Sequence, residues 1–166
     1  MFLVFLVGTG ALLASLLSYG MATAIIVHLL ARLIRAGFTG LGFWKNVTVM
    51  MIVALVTAAA HLIPIVLWAV VFVMCGEIAT FEKALYFSAE NYTALGYGDI
   101  VLSERWRLLG PLEAINGLLL FGLSTALMFA IMSHLITNRL RFQLGDLDDI
   151  PMNQEPLSAA RDGGSN

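Results

Sequence analysis

Thr93-Ala94-Leu95-Gly96-Tyr97-Gly98-Asp99 lies in a polar connection between two long apolar runs, and its paired glycines decide how the rest of the chain is read. Glycine accepts backbone angles that a Cβ resists. Gly96 and Gly98 therefore allow the carbonyls of one short segment to be turned to the same side. Tyr97 between them is expected to point away from those carbonyls, its ring packed behind the segment and its hydroxyl able to hydrogen-bond there. A dinucleotide fingerprint is excluded, because no third glycine follows at the required spacing and the flanking elements are wrong.

Outward from this stretch the chain is apolar. Sixty per cent of its 166 residues are hydrophobic and only 12% are charged, with a mean hydropathy of +0.89. Soluble domains carry roughly twice that share of charge, so the chain belongs in lipid. A hydrocarbon core of about 30 Å takes about 20 helical residues to cross, and residues 2–31, 47–75 and 109–136 each suffice. Residues 81–93 are amphipathic and too short to span, so they read as a re-entrant helix. Irregular backbone after such a helix is tolerated at membrane depth only where protein or water surrounds it. The opening apolar run has no basic stretch before it and reads as a retained helix rather than a cleaved leader.

Arg32, Arg35 and Lys45 lie in the first connection with no acidic residue, and Arg139 and Arg141 follow the third span. Both regions are therefore expected in the cytoplasm, with the N-terminus outside. The loop from 76 to 108 then faces outward. Its Glu77, Glu82, Glu90, Asp99 and Glu104 outnumber Lys83, Arg105 and Arg107, which suits a cation entrance and equally an ordinary polar loop. The tail, with Asp146, Asp148, Asp149 and two prolines, is expected to be disordered. A net charge of −2 implies no nucleic-acid partner, and no helix carries the regularly spaced arginines of a voltage sensor. Cys75, the single cysteine, cannot form an internal disulfide, and neither a Cys/His metal spacing nor a nucleophile elbow occurs. No enzyme chemistry and no cofactor are expected.

A dehydrated cation needs replacement oxygens, and a ring of backbone carbonyls supplies them. One segment cannot encircle an ion, so several chains have to surround an axis. At this point a resemblance can be named. The run Ala84-Leu85-Tyr86-Phe87-Ser88-Ala89-Glu90-Asn91-Tyr92-Thr93-Ala94-Leu95-Gly96-Tyr97-Gly98-Asp99 resembles the pore helix and filter of tetrameric potassium channels, particularly small bacterial ones without voltage sensors. The resemblance continues through Trp106-Arg107-Leu108-Leu109 into the third span.

The resemblance implies an all-α membrane protein, with three transmembrane helices, a re-entrant pore helix and a selectivity-filter loop in each subunit of a homotetramer. It divides the chain into an extra helix (1–33), a basic connection (34–46), a pore domain (47–138) and an acidic tail (139–166). Within the pore domain the outer helix is 47–75, the pore helix 81–93, the filter 94–98 and the inner helix 109–138. Thr93, Ala94, Leu95, Gly96, Tyr97 and Gly98 are the implied ion-binding positions, with K+ held as permeant ion by the carbonyls of Ala94, Leu95, Gly96 and Tyr97. The expected partners are K+, membrane lipid and further copies of the chain, in a cell membrane of bacterial inner-membrane type. The family's filter begins with a threonine where this chain has Ala94, which leaves a weakly selective cation channel open as an alternative. A non-conducting accessory subunit is the alternative from another class.

Glu90 and Asp99 match two bracing carboxylates expected to share a proton if they approach closely, with Tyr86 beside them as a hydrogen-bond donor to Asp99. In the third span Leu118, Phe121, Thr125 and Phe129 recur at helical spacing and, with Ser133, are implied to line the cavity and gate. Ordinary helix packing explains the same pattern. Gly117 matches a family hinge, and Gly122 adds a second point where the helix could bend or pack closely. Glu113 is a carboxylate within a span, costly unless paired, protonated or wet, and His61 is a candidate partner. His28 and His134 are candidate pH sensors, Pro64 is expected to kink the second span, and the first helix is expected to pack outside the second, against lipid.

Overall fold

The computed structural model describes residues 2–35 and 43–148. Five helices, α1 (Phe2–Arg35), α2 (Phe43–Ala60), α3 (Leu62–Met74), α4 (Phe81–Tyr92) and α5 (Leu109–Asp148), account for nearly all of them, with no strand among the described residues. Three stretches are long and apolar enough to cross a membrane: Phe2–Arg32, Trp44–Met74 and Leu109–His134. The expected all-α architecture is the observed one.

The second span is two helices rather than one bent helix. Proline has no N–H to give to the carbonyl four residues earlier and its ring crowds that carbonyl, which for Pro64 is Ala60. The helix accordingly breaks at His61, whose N–H bonds to Ala58 in a tighter turn at 3.2 Å, and Ile65 returns to His61 O over a long 3.5 Å. The break turns His61 into the protein, where it is 7% exposed.

Two boundaries differ from expectation. Thr93 caps α4 rather than extending it. α5 continues ten residues past 138, to Asp148, because no proline interrupts 139–148; these residues are helical where a disordered tail was expected. Most of the connection expected at 34–46, and the tail beyond 148, lie outside the described residues.

The core runs along the bundle in three clusters. One joins Val4 and Ala11 of α1 to Trp68, Ala69 and Phe72 of α3, Ala84 and Phe87 of α4, and Leu109 of α5. The second holds Tyr19, Ala60, Ile65, Tyr92 and Leu120, and the third Ile26, Leu30, Val49, Val53 and Ile131. α1 thus packs on both halves of the second span, as expected, and also on α5, which the expectation did not include. Fully burying a large aliphatic or aromatic side chain is worth about 1.5–3 kcal/mol in water. Within lipid that driving force is absent, and association rests on close packing and hydrogen bonds.

Candidate functional site

The site is built at the C-terminus of α4. A helix end leaves its last carbonyls without intrahelical partners, and here they are closed by a Schellman arrangement. Ala94 N–H donates to Asn91 O at 2.9 Å and Leu95 N–H to Glu90 O at 3.0 Å, while Thr93 N–H and its hydroxyl both reach Ala89 O. This cap requires a left-handed residue just past the helix, normally glycine. Ala94 takes that place with φ +58°, the one non-glycine positive φ among the described residues.

Gly96 (φ +59°) and Gly98 (φ +75°) follow, so positive φ recurs at every second residue from 94 to 98. Positive φ at 94, 96 and 98 alternates with negative φ at Leu95 and Tyr97, the kind of alternation that turns backbone N–H groups to one side. Glu90, 4% exposed, waits on that side and accepts Gly98 N–H at 3.0 Å. Its second oxygen is buried without a partner. In a trans peptide C=O and N–H point oppositely, so the Tyr97 carbonyl is directed away from Glu90.

Asp99 is exposed and its Oδ1 accepts the N–H of Ile100 at 3.1 Å. No hydrogen bond joins it to Glu90, so the expected proton-sharing pair is not formed. The Asp99 carboxylate, a ready acceptor for its hydroxyl, pushes the Tyr86 phenol above the ordinary tyrosine range. Leu95 and Tyr97 stand 60% and 68% exposed. The Tyr97 ring therefore has little cover from its own chain, where packing behind the loop was expected.

Behind the loop, α4 is fastened at several points. Ser88 Oγ lies 2.7 Å from Ile65 O of α3 and also hydrogen-bonds Glu113 Oε1 of α5. A Cβ added to Gly117 would collide with the Tyr92 carbonyl, so glycine is what lets α5 cross the end of α4. Gly122, by contrast, has open space where a Cβ would go. Glu113 is fully buried between α5 and α4. It does not join the exposed face of α5, and its partner is Ser88 rather than His61.

Leu118, Thr125 and Phe129 are exposed on α5 in the single chain, Ser133 is half-buried, and Thr125 bonds back to Phe121 O. Phe121 faces both ways, because its ring also stacks on His61 at 4.6 Å and Tyr92 at 5.5 Å. His28 and His134 are exposed on their helices. The residues that composition and spacing missed are Ser88, Tyr92, Ser124 and Tyr19. Ser15 and Tyr19, four apart on one face of a mostly apolar helix, were the available signal for the last of these.

Residues 60–134 match the protein family described as ion channel. The match takes in the break at His61, α4, the loop and most of α5, and leaves α1 outside. No curated protein and no solved structure matches the chain.

Proposed function

We propose that this chain, whose residues 60–134 belong to an ion-channel family, is a passive potassium-selective channel that works as a homotetramer in a bacterial inner membrane, N-terminus outside. The observation that carries the reading is the alternation of positive φ at Ala94, Gly96 and Gly98. With Leu95 N–H taken by Glu90 O and Gly98 N–H by the Glu90 carboxylate, the carbonyls of Ala94, Leu95, Gly96 and Tyr97 would be left for a dehydrated cation, and Thr93 adds a hydroxyl oxygen below them. A single copy offers one strip of such oxygens, largely exposed, so the site closes only when further copies bring theirs around an axis. The same assembly would cover Leu95 and Tyr97. Leu118, Thr125 and Phe129 would then face the cavity, with Phe129 and Ser133 toward the inner mouth.

Ala94 favours one second reading, a weakly selective cation pore. It has no hydroxyl to offer an ion at the innermost position, and a β-branched threonine would be strained at φ +58°. The backbone carbonyl remains in either case.

Purified protein in liposomes with K+ inside and Na+ outside tests the reading. A potassium-selective pore drives the interior negative, as read by a voltage-sensitive dye. A pore that does not discriminate leaves the dye unchanged while sodium enters, and that pairing would establish the weakly selective reading instead.

A further inference from the structure

Tyr19, His61, Tyr92 and Ser124 form a hydrogen-bonded group at mid-span that ties every helix of the chain to the residue just before the loop. Tyr19 of α1 donates its hydroxyl to Ser124 Oγ of α5 at 2.9 Å. His61, at the break between α2 and α3, has Nε2 2.6 Å from the same Ser124 Oγ and Nδ1 2.7 Å from the hydroxyl of Tyr92, the last residue of α4. Ser124 passes its own proton to Leu120 O at 2.7 Å.

One proton placement satisfies every donor in the group. Since Ser124 donates to Leu120 O, its oxygen must accept from both Tyr19 and His61, and a hydroxyl oxygen has two lone pairs for that. His61 Nε2 is therefore the protonated nitrogen. In a neutral ring Nδ1 is then an acceptor, and Tyr92 donates to it. Every donor finds an acceptor, and the imidazole is further clamped between Tyr19 at 4.8 Å and Phe121 at 4.6 Å. A group satisfied this completely rigidifies its surroundings.

We infer that His61 is the positioning residue for the base of the loop, and that α1, anchored to the group through Tyr19, is a working part of the pore rather than a peripheral helix. The inference rests on reading 94–98 as the filter. Tyr92 is held at both ends: its carbonyl is packed on Gly117 and its hydroxyl is fixed by His61. Thr93 and Ala94 follow directly, so a shift of Tyr92 is passed to the first left-handed residue of the loop.

The test compares His61→Phe, which keeps a stacked ring but no hydrogen bonds, with His61→Gln, whose amide can accept from Tyr92 and donate to Ser124. The full-length protein is reconstituted in liposomes and the K+/Na+ permeability ratio is read. His61→Phe should lower the ratio by about tenfold, the scale set by a lost buried hydrogen bond, with His61→Gln within about twofold of wild type. An unchanged ratio in folded His61→Phe overturns the inference. If that variant does not fold, Tyr92→Phe, which removes a single oxygen, should lower the ratio in the same direction, and no change there overturns it equally. Nitrogen NMR of the His61 ring is independent of conduction. It should report the Nε2–H tautomer in wild type and hold even if the filter reading fails, whereas an Nδ1–H or charged ring at neutral pH overturns this proton placement.

Discussion

The loop at 94–98 and the junction behind it are separated by a single residue, yet they are opposite in kind. At the junction, the hydroxyls of Tyr19, Tyr92 and Ser124 and both ring nitrogens of His61 are satisfied within one chain. Along the loop, Leu95 and Tyr97 stand mostly exposed and nothing lies within 4 Å of where a Cβ would grow on Gly96 or Gly98. The hydrogen-bonded group at His61 is complete in a monomer, and the front of the loop is not covered. The difference teaches that one chain can set the conformation of the loop, while on the proposed reading the cation site needs other copies to be closed.

Substitution behind the loop should therefore be felt in stability and, through Tyr92, in selectivity, whereas substitution in the loop should be felt mainly in selectivity. The largest effect is expected from Gly117→Ala. The obstructing atoms are the backbone of Tyr92, so no side chain can swing aside, and a loss of about 2–3 kcal/mol is expected for overpacking of this kind. A lowered thermal midpoint in detergent checks it, and an unchanged midpoint would mean that α4 and α5 are not pressed together there.

Gly98→Ala comes next. With open space around the position the cost is conformational, about 1–2 kcal/mol for an L-residue held left-handed. The expected outcome is loss of K+ over Na+ preference with a melting midpoint lowered less than in Gly117→Ala. A preserved preference would break the contrast between front and rear.

Glu90→Gln sharpens it, since glutamine still offers an oxygen to Gly98 N–H but without charge. Charge-assisted hydrogen bonds are about twice as strong as neutral ones, so about 1 kcal/mol of loop stabilisation should be lost. Faster decay of current at constant driving force is the readout.

Ala94→Gly is expected to stabilise slightly. Relief of about 1–2 kcal/mol of left-handed strain is offset by about 0.4–1 kcal/mol of extra freedom in the unfolded chain. Ala94→Thr should change the melting midpoint in the opposite direction.

The smallest effect is spectroscopic. The Asp99 carboxylate pushes the Tyr86 phenol above the ordinary tyrosine range. The contribution of this pair is present below the unfolded tyrosine value of about 10 and is lost as pH rises through the higher folded value. Difference titration of wild type against Tyr86→Phe should reveal the shift, and Asp99→Asn should remove it.

Much of this was legible in the residues themselves. Gly96 and Gly98 announce their backbone angles because no other residue adopts them readily, and apolar runs of sufficient length announce the spans. Pro64 marked the second span, but the break falls a turn earlier, at His61, because the carbonyl that proline leaves unbonded belongs to Ala60. Ala94 gave no sign of φ +58°, since alanine ordinarily favours helix and only the capping bonds from Asn91 and Glu90 explain its position. The partners of His61 and Glu113 were hidden for another reason. Depth along a span can be counted from sequence, but the rotation of one helix against another cannot, so His61 and Glu113 were paired by depth although one meets Tyr92 and the other Ser88.

The most direct test of the central claim is the reversal potential of single-protein currents in a planar bilayer with K+ on one side and Na+ on the other. A value near the potassium equilibrium potential is the predicted result, with the carbonyls of Ala94 to Tyr97 selecting the ion despite the missing hydroxyl. A value near zero would contradict it and leave a pore that passes monovalent cations without discrimination.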